Sequence, residues 1–269
     1  MREEPKRIAL LIDADNMPAS KLDDILAELS RHGVINIRRA YGNWTKPHLQ
    51  AWVERLHEFA IRPMQQFDLT KGKNASDMAL VIDALDLLYT DRPDAFGLVS
   101  SDADFTPLVM HLKAKGAAVF GFGLQQTPQP FQRACTQFLL VENLGDSLPR
   151  TPEPASLVKE VVQPTDVPAP ATPWPTSKLR QDTRLVKLLR GAVESSAADD
   201  GWAQLGMVGK HISNQASFDS RNFGYPKLVA LIEATQLFEV KRHQLAVFVR
   251  DKRWSKLNGV VASSERSAS

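Results

Sequence analysis

Residues 8–16 read IALLIDADN, and residues 96–105 read FGLVSSDADF. Each stretch opens on an apolar run with no polar alternation. Such a run fits a strand buried on both faces, as in a parallel sheet covered by helices. Each run then ends in the same D-A-D spacing, Asp13/Asp15 and Asp102/Asp104. In an open parallel sheet the carboxyl ends of the strands line one edge, and ligands bind in the crevice there. The two acidic pairs are therefore expected to share one edge. Asp77 opens a helical pattern after KGKNAS and can reach the same crevice.

The pattern continues outward from these two stretches. Leu22, Ile25, Leu26 and Leu29 recur at helical spacing, as do Leu49, Trp52, Val53 and Leu56. Further helices are predicted from Asp77 to Leu88 and over Phe105–Lys115. Further strands are predicted over Val34–Ala40, Ile61–Phe67, Ala118–Gly123 and Phe138–Val141. Strand–helix alternation predicts an α/β fold with a mainly parallel sheet between two helical layers.

Eight of the 17 prolines fall between Pro149 and Pro175. Each proline removes a backbone donor, so the stretch reads as an extended, semi-rigid linker. The predicted organisation is a first domain at 1–147, a linker at 148–177, a second domain at 178–254 and a polar tail at 255–269. In the second domain, helices are expected over Thr183–Ser195, Gln204–Asn214 and Tyr225–Thr235. Strands follow at Phe238–Lys241 and Leu245–Arg250, with a turn near His243. Three helices and a hairpin suggest a winged-helix-like module.

The 269 residues carry a near-neutral formal charge of +2, which excludes a uniformly basic coat. That total hides a split. Residues 1–146 hold 16 Lys+Arg and 19 Asp+Glu, a net of −3. Residues 147–269 hold 17 and 12, a net of +5. The single cysteine, Cys135, excludes an internal disulfide and a four-thiolate zinc site and fits the reducing cytoplasm. No signal peptide or membrane-spanning run is read in the sequence, so no membrane partner is expected.

Crowded carboxylates repel and call for a cation. An all-oxygen set without paired histidines suits Mg²⁺ or Mn²⁺. The structural alternative is that an Asp after a strand caps a helix or closes a turn, and Asp15, Asn16 and Ser76 fit it well. No phosphate-cradling G-x-x-x-x-G-K-S/T loop and no G-x-S-x-G elbow is present. Lys71 and Lys73, just before Asp77, either meet phosphates or sit on a solvated turn. Arg38, Arg39, Tyr41 and Trp44 form a basic-aromatic cluster. Tyr41 reads as core, and Trp44 is either core or a base-stacking platform. Asp83 lies six residues past Asp77, about 240° around the helix, and with Asp86 reads as structural or solvent-facing.

The set LLIDADN, Lys73-x-x-x-Asp77 and SSDADF resembles the NYN domain, a branch of the PIN-like nuclease superfamily, over residues 6–145. The resemblance implies a PIN-like three-layer sandwich and metal-dependent hydrolysis of RNA with Mg²⁺ or Mn²⁺. It implies an acidic site at Asp13, Asp77, Asp102 and Asp104. Asn16 matches the family's first motif and joins Lys71, Lys73, Trp44 and Arg39 as a candidate RNA contact. Ser101 stands where many relatives carry Gly. PIN-like domains are often dimeric, which makes a homodimer an expectation.

The segments DGWAQLGMVGKHI and FDSRNFGYPKLVALIEATQLFEVKR resemble the OST-HTH/LOTUS domain over residues 180–250. That family binds RNA in some members and protein partners in others. Lys210, Arg221, Lys227, Lys241, Arg242 and Arg250 are the candidate phosphate contacts. The combined reading is a metal-dependent endoribonuclease acting on single-stranded regions of RNA. The alternatives are a non-catalytic RNA-binding or regulatory scaffold and a nuclease for single-stranded or flap DNA.

Overall fold

A computed structural model describes residues 4–67, 75–145, 172–243 and 246–254. Contacts divide the chain into two units, Met1–Ala171 and Thr172–Ser269. Among the described residues no helix is long and apolar enough to cross a membrane.

The first unit has strands β1 (Arg7–Asp13), β2 (Val34–Gly42), β3 (Arg62–Gln65), β4 (Ala95–Val99), β5 (Ala118–Gly123) and β6 (Gln137–Leu140). Its helices are α1 (Leu22–Leu29), α2 (Gln50–Glu58), α3 (Ala75–Thr90), α4 (Thr106–Ala114) and α5 (Gln129–Ala134). The strands pair in parallel in the order β3-β2-β1-β4-β5-β6. The α/β expectation therefore holds, and all six predicted strands are present.

The run in β1 explains the layering. Successive side chains on a strand point to opposite faces. Ile8, Leu10 and Ile12 enter the core formed with α1 and α2, against Leu22, Ile25, Leu29, Trp52 and Leu56. Ala9 and Leu11 enter the other core, against Leu80, Ala84 and Leu87 of α3 and Leu108 and Leu112 of α4. A strand with both faces buried has no polar position to offer, which is why β1 shows no alternation. Gly97 in β4 is also a packing requirement. A Cβ there would come within 2.6 Å of the Leu29 side chain, so glycine lets α1 lie close to the sheet.

Strand order reverses between β1 and β4: the chain moves outward through β2 and β3 on one side, and through β5 and β6 on the other. Such a switch point opens a crevice at the carboxyl ends of the two central strands. These are the strands that end at Asp13 and just before Ser100.

The second unit has helices α6 (Thr176–Gln181), α7 (Thr183–Ser196), α8 (Leu205–Gln215) and α9 (Leu228–Thr235). Its strands β7 (Ala203–Gln204), β8 (Phe238–His243) and β9 (Ala246–Asp251) form an antiparallel sheet in the order β7-β9-β8. Leu185, Leu189, Val208, Ile212, Leu231, Ile232, Phe238 and Val249 make the core. Asp182 caps α7, its Oδ1 accepting from the backbone N–H groups of Arg184 and Leu185 at 3.0 Å each. The helices and hairpin match the winged-helix-like expectation; β7 and α6 are additions here, as α5 is in the first unit.

One boundary moves. The stretch read as linker up to residue 177 already contains structure of the second unit. Trp174 donates its backbone N–H to Phe223 O at 3.1 Å and accepts from the Tyr225 hydroxyl at 2.7 Å. Its ring meets Phe223 edge-on at 5.1 Å. Proline density hid this, because Pro175 starts α6 rather than breaking it. Trp174→Ala is expected to destabilise the second unit by about 2 kcal/mol, below the ~3–5 of a fully buried tryptophan because Trp174 is only partly buried. Chemical denaturation of the full chain checks this; an unchanged midpoint for the second unit would return Trp174 to the linker.

Candidate active site

Asp13 is the last residue of β1, paired in register with Tyr41 of β2, and only 1% exposed. Its Oδ2 accepts from the Ser100 hydroxyl at 2.9 Å and from Asn16 Nδ2 at 2.9 Å. Its Oδ1 is buried without a hydrogen-bond partner among the described residues. A buried polar atom left unpaired is costly. Burial pushes the Asp13 carboxyl above its usual range; the Asn16 and Ser100 hydrogen bonds oppose the shift, and repulsion from Asp15 and Asp102 adds to it.

Ser100 follows β4 and is fully buried. Besides donating to Asp13, its Oγ accepts from the backbone N–H of Asp102 at 3.1 Å. One hydroxyl therefore joins the two strand ends. Asp102 caps the short turn Ala103–Phe105, its Oδ1 accepting from Asp104 N at 2.8 Å. The capping alternative is thus realised at Asp102. Ser101, the departure from the family pattern, accepts from Leu124 N at 2.9 Å and pins the segment after β5 to the same edge.

Asp77 lies in the first turn of α3. Its carboxyl is pushed up to about 6, first by burial and then by repulsion from Asp13, Asp102, Asp15 and Asp104. Five carboxylates from β1, α3 and the segment after β4 thus share one electrostatic field.

Asp15 is not a helix cap. Its Oδ2 accepts from the Ser76 hydroxyl at 3.2 Å, and its Oδ1 lies 3.5 Å from both Lys46 Nζ and His48 Nε2. This places two basic side chains on the rim of the acidic crevice. The segment that carries them is held by side-chain hydrogen bonds. Asn43 Oδ1 accepts from the Thr45 hydroxyl at 2.6 Å and from Gln65 Nε2 at 3.1 Å.

The position of α3 against the sheet has its own anchor. Asp83 accepts from both the Arg39 guanidinium and the Tyr41 hydroxyl, which project from β2. Tyr41 is fully buried. Asp83 is therefore structural, one of the two roles expected for it. Tyr41 is core, as read. Arg39 is spent inside the fold, which withdraws it as a free RNA contact. Arg38 likewise donates to Phe59 O at 2.9 Å. Asn16 orients Asp13 instead of standing free. Trp44 packs against the core on the α1/α2 side, with its ring N–H buried and unpartnered among the described residues. Lys71 and Lys73 lie outside the described residues.

In the second unit Lys210, Lys227 and Lys241 are exposed. Arg242 is also exposed and pairs with Glu233 at 2.6 Å. Arg221 folds back onto Asp219, with Nη2–Oδ2 and Nε–Oδ1 contacts of 2.8 and 2.9 Å. This pairing closes the turn before Gly224. Cys135 is buried, its thiol pushed up to about 12 by burial, which disfavours the thiolate.

Among the described residues no three Asp, Glu, His or Cys side chains converge on a single ion. The donor set still fits Mg²⁺ or Mn²⁺. Mg²⁺ keeps several waters and is bound through one or two carboxylates plus substrate oxygens, and Asp13 Oδ1 is a buried oxygen with no hydrogen-bond partner among the described residues.

Comparison with known proteins bears on this geometry. The NYN domain model matches residues 7–142, half of the chain. The chain belongs to the NYN domain family. The PIN-like sheet and its acidic edge are thus those of an NYN domain, and an OST-HTH/LOTUS domain matches residues 178–249. The uncharacterized protein MJ0482 of Methanocaldococcus jannaschii is 33% identical over 128 residues, which is 46% of this chain and 50% of that protein. The chain thus spans about half the length of that relative. A crystal structure of a protein of unknown function, VPA0982 from Vibrio parahaemolyticus, aligns with a TM-score of 0.43 at 19% identity. That alignment covers 52% of this chain and 95% of that one.

The crowding of the NYN carboxylates has a thermodynamic consequence. The Asp77 carboxyl has a folded-state value of about 6 against an ordinary 3.8, so the folded chain holds a proton that the unfolded chain releases. Without divalent cations, stability from this group is present below about pH 4 and is lost as pH rises through 6. Thermal melts should show Mg²⁺ or Mn²⁺ raising the melting temperature of the NYN domain at pH 7.5 and hardly at pH 5. Asp77→Asn should stabilise the metal-free chain at pH 7.5 and shrink the divalent increment. An increment equal at both pH values would contradict the cluster.

Proposed function

We propose that the NYN domain is a Mg²⁺- or Mn²⁺-dependent endoribonuclease and that the OST-HTH/LOTUS domain captures its RNA. The observation that carries this reading is Asp13. One of its oxygens is held by Ser100 and Asn16, and the other is buried at the switch point of the sheet with no hydrogen-bond partner among the described residues.

In this reading Asp13 and Asp102 hold the cation. A bound divalent ion supplies charge stabilisation to the phosphate and lowers the pKa of an attacking water. Asn16 and Ser100 keep the Asp13 carboxylate in one rotamer. Asp77, with its raised affinity for a proton, holds either a second cation or a water near the phosphate. Asp104 completes the acidic edge. Lys46 and His48, at the rim beside Asp15, are placed to meet the phosphates that flank the scissile one. Lys241 is the main proposed phosphate contact of the LOTUS domain, with Lys210, Lys227 and Arg242 as secondary ones. Joining the two domains in one chain makes delivery of RNA to the crevice intramolecular and raises its local concentration.

One observation favours a second reading. The OST-HTH/LOTUS match would serve a non-catalytic RNA-binding scaffold equally well. A cleavage assay separates the two. The full chain should cut single-stranded RNA with Mg²⁺ or Mn²⁺ and stop in EDTA. Asp13→Asn and Asp102→Asn should abolish cutting with the fold intact. Ser100→Ala should lower it by about 10–100-fold, as expected when a partner that orients a ligand is removed. RNA binding without any metal-dependent cutting would favour the scaffold, and cutting of DNA alone would reassign the substrate.

A further inference from the structure

The OST-HTH/LOTUS domain has two surfaces with basic residues, and they differ in chemistry. In a helix-turn-helix protein that reads duplex DNA, a recognition helix places polar and basic side chains in the major groove. The α9 sequence LVALIEAT contains no Lys, Arg, Asn or Gln. Its single charge, Glu233, pairs with Arg242. Helix α8 offers Lys210 as its one Lys or Arg, and its Asn214 and Gln215 sit in its last turn, not at the N-terminal end by which a recognition helix contacts bases. The helical face is therefore poorly equipped as a groove reader.

The sheet differs. Residues alternate between its faces. Ala203, Val249 and Phe238 point inward and are buried, and Asp251 on the same side pairs with Arg190 of α7. By register, the outer face carries Gln204, Phe248 and Lys241 side by side, with the pair Glu239 and Arg250 next to them. Trp202, just before β7, and Trp254, just after β9, extend this aromatic and basic set. The Arg250 guanidinium lies over the Trp202 ring at 4.6 Å and near the Trp254 ring at 5.3 Å. Glu239 Oε2 accepts from Arg250 Nε at 3.0 Å and from Nη2 at 2.6 Å, which fixes that cation between the rings. Lys241 Nζ lies 5.8 Å from the centre of the Trp202 ring. Gly201 lets the rings approach. It has φ +77°, and a Cβ there would come within 2.5 Å of the Trp254 ring.

Trp202, Phe248 and Trp254 are only half-buried. Arg250 covers one face of the Trp202 ring, so the platform offered to unpaired bases is the guanidinium plane together with the ring surfaces it leaves uncovered. Bases stack on such rings while the cations follow the phosphates. A duplex hides its base faces and offers no such partner. The net +5 of residues 147–269 favours a polyanion over an acid-poor protein segment. We propose that this outer sheet face, centred on Trp202 and Lys241, is the site where the LOTUS domain binds single-stranded RNA by base stacking. The proposal rests on the reading of the chain as an RNA-binding protein.

The test is anisotropy of a labelled single-stranded RNA oligonucleotide with the full chain in EDTA, where cleavage is off. Trp202→Leu and Lys241→Glu should each weaken binding by at least about 5-fold, the lower end for loss of one stacked base. Trp202→Phe, which keeps a ring, should stay close to wild type and so separates stacking from folding. Lys210→Glu combined with Lys227→Glu should have the smaller effect, and a fully paired RNA should compete weakly. If wild type binds and Trp202→Leu and Lys241→Glu bind equally well, the sheet face is not the site. A dominant loss in the Lys210/Lys227 variant, or equal competition by duplex, overturns the proposal too. Absence of RNA binding by wild type would instead overturn the underlying reading together with this one.

Discussion

The hydrogen bond from the Ser100 hydroxyl to Asp13, 2.9 Å long, ties together the ends of the two central strands. It works from both sides, since the same oxygen accepts the Asp102 N–H. Around this joint the fold crowds carboxylates that repel one another. Asp13 is fully buried, Asp77 lies at a helix start, and both feel Asp15 and Asp102. A crevice of this kind is held together by the cores on either side of β1, not by its own charges. Those cores are built from the alternate residues of the apolar run Ile8–Ile12.

Much of this was legible in the sequence for a simple reason. Unbroken apolar runs mark strands covered on both faces, and both central strands carried one. The acidic pairs followed at fixed distance, so the edge they share comes from parallel topology alone. What escaped was chemistry carried by single residues or by distant pairs. Ser100 sits in plain view in SSDADF, but its two hydrogen bonds depend on how β1 and β4 pair. Asp83 and Arg39 are 44 residues apart, and no local period links them. Arg39 therefore read as a free cation when it is a partly buried partner of Asp83 on α3. Arg221 read as a phosphate contact because nothing in the local pattern shows that its guanidinium turns back onto Asp219. Helix α5 has six residues and one buried side chain, too little for a period to emerge. Helix α6 starts directly after Pro175, so its first residues fell at the end of a stretch whose composition argued for a linker.

Seen as a whole, the small net charge is a cancellation between two chemistries. The NYN domain spends several of its cations internally, Arg39 on Asp83 and Arg55 on Asp23, and leaves its carboxylates concentrated at one edge. The LOTUS domain keeps Lys210, Lys227 and Lys241 exposed and adds aromatic rings to its sheet. An edge rich in negative charge attracts divalent cations and repels nucleic acid, so capture of RNA by a separate basic module makes physical sense.

The most direct measurement is the location of Mn²⁺ by anomalous diffraction from crystals of the full chain grown with that ion. The account predicts a manganese peak bonded to Asp13 Oδ1 at the carboxyl ends of β1 and β4, absent in Asp13→Asn. A wild-type crystal with manganese bound elsewhere, or with Asp13 Oδ1 taken by a protein donor, would contradict it.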